Sequence, residues 1–363
     1  MMGLAIIVVG ITFTFLFINY NPAFGGKVSR EQLIKYRKSK NYFKGKFINQ
    51  IPTSLDIRAK TIFTLLRDLI KRNPNVRPDR PIPLEPQNFS LVQDTKQSRI
   101  TWLGHSAFLL ELEGKTLMLD PMLGKFSSPL PFFGPKRYSE TLPQILEELS
   151  AIDVVLISHD HYDHLDYETI MKIKEKVKWF LVPLGLRRHL ERWGVSQERV
   201  KEFDWWQEVN IEGLTLTCTP ARHFSGRGLT DRNSSLWCSW VISGNHGRIY
   251  FSGDSSYGPH FTEIGDKYGP FDLTLMECGQ YDERWSDFHM LPEETLRAHL
   301  DVKGKIMIPI HWCAFVLAFH DWAEPVERAT LAADKLDVKI ATPRIGEKVI
   351  IGSPEYPNSK WWR

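Results

Sequence analysis

The run Ser158-His159-Asp160-His161-Tyr162-Asp163-His164 limits what this chain can be more than any other stretch. Four groups able to bind a metal, His159, His161, Asp163 and His164, fall within six residues. They come directly after the apolar run Asp153-Val154-Val155-Leu156-Ile157. A buried strand that ends in a tight loop accounts for this order and makes imidazoles and a carboxylate converge. Such donors suit zinc, iron or manganese better than softer metals. A cation held by two nitrogens and a carboxylate keeps a coordination position free, as a hydrolytic site requires. The competing reading is a solvated polar loop, and it leaves the rest of the chain unexplained.

Three further candidate donors each follow a strand-like run. Leu214-Thr215-Leu216-Thr217-Cys218-Thr219 leads to His223, Gly247 to Gly253 leads to Asp254, and Lys305 to Ile310 leads to His311. Short loops at strand ends hold side chains rigidly, so four such loops can build one site.

His159-x-His161-x-Asp163-His164, then His223, Asp254 and His311, resembles the metallo-β-lactamase-fold hydrolases in order and spacing. Gly134-Pro135-Lys136-Arg137-Tyr138, Pro183-Leu184-Gly185-Leu186, Asp204-Trp205-Trp206, Gly269-Pro270-Phe271-Asp272-Leu273 and Pro292-Glu293-Glu294 narrow the resemblance. They look like the N-acyl-phosphatidylethanolamine-hydrolysing phospholipase D subgroup, over about Ile100 to Ile351. One position departs: the mammalian-type subgroup carries Gln-His ahead of its Pro-Glu-Glu segment, and this chain carries Phe288-His289.

The resemblance implies an α/β (α+β) fold, the four-layer αβ/βα metallo-β-lactamase sandwich, preceded here by an N-terminal apolar segment. It implies a metal site at one edge between the sheets. His159, His161 and His223 would bind one metal, Asp163, His164 and His311 a second, and Asp254 would bridge them. Zinc is the default pair, with iron or manganese as alternatives. The spacing agrees: His159 and His161 alternate past Asp160 on an extended backbone and face one ion, whereas Asp163 and His164 follow a turn. Two ions about 3.5–4 Å apart hold a hydroxide between them, so no Ser or Cys nucleophile is needed. The catalytic roles beyond ligation fall to Asp163 and to His289, a substrate-side proton donor or phosphate contact. Asp160 and His105 are expected to support ligands or their loops, and Asp120 to fix the loop or a ligating histidine. His189, His246, His260, His299 and His320 carry no site argument.

The expected function is therefore a binuclear metal-dependent hydrolase, a phospholipase D-like phosphodiesterase acting on N-acyl-phosphatidylethanolamine or a related phospholipid. A lactonase or other ester or amide hydrolase is the alternative, because the same hydroxide attacks carbonyls. A membrane-tethered metal-binding protein without catalysis is the alternative from another class, and the complete ligand set argues against it. A formal charge of +3 is too small to point to nucleic acid.

Of 363 residues, 42% are hydrophobic and 25% charged, enough for a large core. Cys218, Cys238, Cys278 and Cys313 are far apart and read as buried thiols. Residues 1–25 form an apolar segment, uncharged from Gly3 to Ile18. That is short of the roughly 20 residues that cross a bilayer core. Lys27, Arg30, Lys35, Arg37, Lys38, Lys40, Lys44 and Lys46 follow against a single Glu31. By the positive-inside rule this cluster stays cytoplasmic, and the expectation is an N-terminal membrane anchor, or a signal-like segment, with the catalytic domain on the cytoplasmic face. A helix packed on the protein's own surface and a periplasmic enzyme are the alternatives.

Residues 26–98 read as a basic, then Pro-rich lead-in wrapping the core, with a helix near Thr61–Lys71. Residues 99–363 read as the hydrolase domain. Strands are expected at Ile100–Leu103, Ala107–Leu112, Thr116–Leu119, Asp153–Ile157, Leu214–Thr219, Leu236–Ser243, Arg248–Ser252, Leu273–Glu277 and Lys305–Ile310. Helices are expected at Tyr167–Glu175, Leu186–Trp193, Glu293–Leu300 and Pro325–Leu336. The apolar loop Phe126–Phe133, with Lys136-Arg137 after it, is a candidate seat for an acyl chain and a phosphate. Trp205 and Trp206 fit either a membrane interface or the core.

Overall fold

Strands buried on both faces read as continuous apolar runs, and the chain has several that end in a polar residue. In the computed structural model these runs become two seven-stranded sheets. The structure describes residues 10, 12, 14–54, 59–71, 73–85, 97–139 and 143–363. A short hairpin, β1 (Tyr42–Phe43) and β2 (Lys46–Phe47), precedes the sheets. The first sheet holds β3 (Arg99–Trp102), β4 (Phe108–Leu112), β5 (Lys115–Leu119), β6 (Ile152–Leu156), β7 (Val177–Pro183) and β8 (Val200–Phe203). The second holds β9 (Glu208–Ile211), β10 (Leu214–Thr219), β11 (Ser239–Gly244), β12 (Gly247–Phe251), β13 (Phe271–Glu277), β14 (Gly304–Ile310) and β15 (Lys339–Ile340). The last strand, β16 (Lys348–Ile350), returns to the first sheet and pairs antiparallel with β3.

Both sheets are wired alike. In the first, β16, β3, β4 and β5 are antiparallel neighbours, and β5 to β8 run parallel. In the second, β9 to β12 are antiparallel and β12 to β15 parallel. The inner faces meet in one large core that includes Leu156, Phe180, Leu216, Trp240 and Ile308.

Helices cover the outside. Ile170 and Ile173 of α4 (Tyr167–Ile173) and Leu190 of α5 (Arg187–Arg192) join the core from the first sheet's side. They follow α1 (Arg30–Tyr36), α2 (Ala59–Lys71) and α3 (Pro143–Glu148) in the chain. On the second sheet, α6 (His260–Tyr268), α7 (Pro292–Asp301) and α8 (Glu324–Leu336) bury Phe261, Leu296 and Ala329 against Tyr250, Phe271 and Met307. The result is the four-layer αβ/βα sandwich.

Several elements differ from expectation for physical reasons. The edge strands β8 and β9 carry Lys201-Glu202 and Glu208, so their apolar pattern is broken, as edges tend to be. Helix α6 contains Gly265, an unfavourable residue in a helix interior. It is needed there because a Cβ would sit 2.1 Å from the Asp301 carbonyl oxygen of α7. Leu236 to Cys238 is a loop: Leu236 N–H donates to Leu184 O at 2.7 Å and Cys238 N–H to Ser158 O at 2.9 Å, across to the other sheet's loops. Trp205 is a core residue, 5% exposed, donating to Trp237 O at 2.7 Å. All four cysteines are buried free thiols.

The expected apolar segment lies partly outside the described residues; residues 14–20 are helical. Among the described residues, no helix is long and apolar enough to cross a membrane.

Trp240 ties the layers together. It is fully buried on β11 and donates its indole N–H to Ile157 O at 3.0 Å, at the end of β6 just before the histidine loop. Trp240→Ala is expected to cost about 3–5 kcal/mol in urea unfolding, from cavity and lost burial. Trp240→Phe is expected to cost about 1–3 kcal/mol, from lost volume and from leaving Ile157 O only the weak Cys238 Sγ donor.

Candidate metal centre

The sheet edge that receives the carboxyl ends of β5, β6, β10, β12, β13 and β14 gathers the polar residues that end those runs. Asp120, His159, His161, Asp163, His164, His223, Asp254, Glu277 and His311 all lie there, and all but His161 are buried. The turns that deliver them are tight. His105, Asp120, Gln280, His311 and Cys313 have positive φ, between 36° and 67°, a region that non-glycine residues occupy only at some cost. Gly253, ahead of Asp254, has φ 56°, and a Cβ there would lie 2.6 Å from Ser158 Cβ.

The donors form two groups, in each of which one donor atom per residue lies within 4.8 Å of the others. The first is His159, His161, His223 and Asp254; His161 Nδ1 is 2.9 Å from His159 Nε2 and 3.2 Å from His223 Nε2. The second is Asp163, His164 and His311, joined by His105. Asp254 faces both. Its Oδ2 is 3.7 Å from His159 Nε2 and from His223 Nε2, and its Oδ1 is 3.1 Å from His164 Nε2 and from His311 Nδ1. All seven residues expected as ligands thus meet in one place. His289 belongs to a third overlapping group with Asp254 and His311.

Outer contacts fix which nitrogen of each ring points inward. His164 Nδ1–H donates to Asp120 Oδ2 at 2.6 Å, and Asp120 Oδ1 accepts Ser158 N–H at 2.7 Å. His223 Nδ1–H donates to Phe288 O at 3.0 Å. His159 Nδ1 lies 2.9 Å from Ser158 Oγ. Asn49, from the lead-in, donates to His223 O and accepts His223 N–H. Asp160 accepts Gly226 N–H and the Ser235 hydroxyl, which pins the histidine loop.

The electrostatics ask for a cation. Burial pushes the pKa of Asp254 up to about 7, against the pull of His164. Burial raises Glu277 well above the carboxylate range. For Asp163 burial acts upward too, but His164 and His105 outweigh it and hold the group well below its usual range. His164 is the converse: burial lowers it, and Asp254, Asp163 and Asp120 together drive it well above the usual imidazole range. Burial leaves His159, His223 and His311 well below that range, as neutral donors. His164 Nε2 and Asp254 Oδ1 are buried without a hydrogen bond. Neutral imidazoles, clustered carboxylates and orphaned inward atoms are what metal ions satisfy, so the donor set fits them.

The site opens into a cavity of about 310 Å³, lined in part by His161, Phe224, Arg232, Trp285, Phe288 and His289. His289 Nδ1 hydrogen-bonds Glu277 Oε1.

The Beta-lactamase superfamily domain matches residues 115–312, more than half of the chain. An uncharacterized protein of Mycobacterium tuberculosis is 43% identical over 331 residues, 90% of this chain and 88% of that protein. The N-acyl-phosphatidylethanolamine-hydrolyzing phospholipase D 1 of Caenorhabditis elegans is 36% identical over 265 residues, 68% of this chain and 74% of that one. Igni18, described as a metallo hydrolase from Ignicoccus hospitalis, shares the fold with TM-score 0.56 and 23% identity over 71% of this chain and 99% of its own. The chain belongs to the beta-lactamase superfamily, among its metal-dependent hydrolases.

Three residues beside this superfamily centre carry more than sequence reasoning gave them. Glu277 ends β13 (Phe271–Glu277), a charged residue closing a mostly buried strand as Asp254 follows β12, although no motif surrounds it. His105 donates Nε2–H to Asp163 Oδ2 at 2.8 Å and stays neutral, its pKa lowered to about 4 by burial. Arg232 on the cavity wall sits in a polar loop without a motif. Arg137 is a correction. It is 3% exposed and donates from Nε to Gly124 O and from Nη2 to Met122 O, so its guanidinium lies inside the fold and not at a surface a phosphate can reach. Phe132 and Phe133 lie on the surface.

Asp120 touches both a histidine and the loop that carries the others. Asp120→Asn is expected to weaken metal binding about 10–100-fold, read by competition with a chromogenic chelator.

Proposed function

We propose that this chain is a phospholipase D-like phosphodiesterase with a binuclear metal centre, zinc by default, acting on N-acyl-phosphatidylethanolamine or a related phospholipid. The observation that carries the reading is Asp254, with one oxygen toward each of two His/Asp groups, in a chain 36% identical to a protein named for that reaction. His159, His161 and His223 would hold one ion, and Asp163, His164 and His311 the other. When bound, the ions supply Lewis acidity and a water deprotonated near neutral pH.

The chain's own groups do the rest. Asp163 is kept ionised beside His105 and His164, so it stays an acceptor at the centre. His289 has Nδ1 engaged by Glu277, which leaves Nε2 for the cavity. A proton held at Nε2 reaches the leaving alcohol oxygen as the P–O bond opens, while Nδ1 takes the proton of Glu277, which burial keeps toward the neutral acid, so the imidazole ends neutral. Phe224, Trp285, Phe288 and Leu317 make the cavity apolar and limit water around the phosphate.

A lipid substrate and a membrane surface are supported by apolar features near the mouth. Helix α2 exposes Phe63, Leu66, Leu69 and Ile70. Its Asp68 pairs with Arg284 at 2.8 Å, next to Trp285 of the cavity. A larger groove of about 910 Å³ includes Phe15, Ile18, Phe24, Leu229 and Arg192. It shares the 224–234 loop with the catalytic cavity. The basic stretch Lys27–Lys46 suits an anionic, cytoplasmic membrane face. In this reading residues 26–98 are the lead-in and 99–363 the hydrolase domain.

A phospholipid panel followed by mass spectrometry tests the assignment. Phosphatidic acid is expected from an N-acylated phosphatidylethanolamine, with loss after chelation and recovery on metal addition. His161→Ala is expected to lower turnover roughly a hundredfold or more. Activity confined to water-soluble lactones would remove the phospholipase assignment.

A further inference from the structure

Arg232 is a cation on the wall of the catalytic cavity. Its guanidinium carbon lies 4.1 Å from the Phe224 ring centre and 5.4 Å from that of Phe288. Among the described residues, no carboxylate pairs with it, and partial burial lowers its pKa. The adjacent acid does not serve: Asp231 accepts Arg227 N–H at 3.1 Å and Gly228 N–H at 2.8 Å, closing the turn.

The position is built. Asn233 N–H donates to Ser225 O at 2.9 Å, and Asn233 O accepts Phe47 N–H from the lead-in at 2.8 Å, so the loop is fastened just after Arg232. Phe224 and Phe288 stand edge to face at 4.8 Å. Phe224 also meets the His161 ring at 4.4 Å, and Phe288 O accepts His223 Nδ1–H at 3.0 Å. The two rings that hold the guanidinium are thereby fixed to two histidines of the metal centre. An arginine set this way keeps its planar donor fork free while its face is stacked.

We infer that Arg232 binds the anionic oxygens of a phosphodiester substrate and so selects a phosphate-bearing substrate over neutral esters at this site. The inference rests on the phosphodiesterase reading and adds a specificity residue to it. It also gives Phe288 a purpose. Where the mammalian-type subgroup has an amide, this chain has a ring that supports a cation. The guanidinium matches phosphate in charge and in donor geometry, and a neutral lactone or carboxylic ester offers it no anion.

The test uses metal-loaded full-length enzyme with bis(p-nitrophenyl) phosphate and p-nitrophenyl acetate. Wild type is compared with Arg232→Met, Arg232→Lys and Phe288→Leu, with metal content and urea unfolding measured for each. For Arg232→Met, the ratio of kcat/KM for the diester to that for the ester is expected to fall tenfold or more, through the diester KM. Arg232→Lys is expected to recover part of the ratio, and Phe288→Leu to lower it several-fold. A ratio within twofold of wild type in Arg232→Met, or parallel losses on both substrates, overturns the role of Arg232 and leaves the phosphodiesterase reading standing. Should Arg232→Met lose metal or unfold, Arg232→Lys decides alone: an unchanged ratio overturns the inference. A wild-type enzyme that cleaves only the neutral ester overturns both.

Discussion

Carboxylates crowded into a dry sheet edge are the constraint on which the rest of this structure turns. Asp120, Asp163, Asp254 and Glu277 are all buried and near one another. An isolated ionised carboxylate in such a place costs several kcal/mol, so the group must be protonated, paired or bound to a cation. Without a metal the site answers unevenly. His164 is drawn toward the charged state, Asp163 stays ionised, and Asp254 and Glu277 are pushed toward the neutral acid. Metal ions held by these groups would remove the conflict, supplying positive charge to the carboxylates and accepting lone pairs from imidazoles that burial keeps neutral. The centre is therefore expected to stabilise the fold as well as to run the chemistry.

The sandwich makes that crowding affordable because it repeats one device. β5, β6, β10, β12, β13 and β14 all run to the same edge, and a candidate donor, or a group that aims one, closes or follows each. A short turn then holds the side chain at a fixed place. The cost is visible in the backbone, where His105, Asp120, Gln280 and His311 occupy the left-handed region around the site. Strain of that kind persists only where the surroundings over-determine it. Here Ser158, Asp120 and Trp240 supply much of the over-determination.

The cluster of candidate donors was legible because it lies at the ends of apolar strands, where a polar residue has no packing reason to be. His159 to His164, His223, Asp254 and His311 all follow that rule. Edge strands such as β8 and β9 were not legible, since half their residues face water and the period-2 pattern dissolves. The identical wiring of the two sheets was hidden as well, because pairing registers are backbone properties that different side chains can carry. Glu277 and Arg232 show two kinds of concealment. Glu277 follows the strand-end rule but no motif drew attention to it. Arg232 gains meaning only from neighbours far off in the chain, Phe288 above all, and one-dimensional spacing cannot show such a meeting.

That last point bears on how one scaffold changes substrate. The seven candidate ligands and their outer contacts come from strand ends and are held by both sheets. The cavity wall comes from the 224–234 loop and the Gln280–His289 segment, which the sandwich carries without being built from them. An amide at position 288 could hydrogen-bond a substrate oxygen directly. The phenyl ring cannot, but it can hold a guanidinium in place to do so, and a guanidinium adds charge to the recognition. In the reading inferred for Arg232, the ring at position 288 serves recognition by holding a charged donor in place, and the strand-end centre is untouched by that choice.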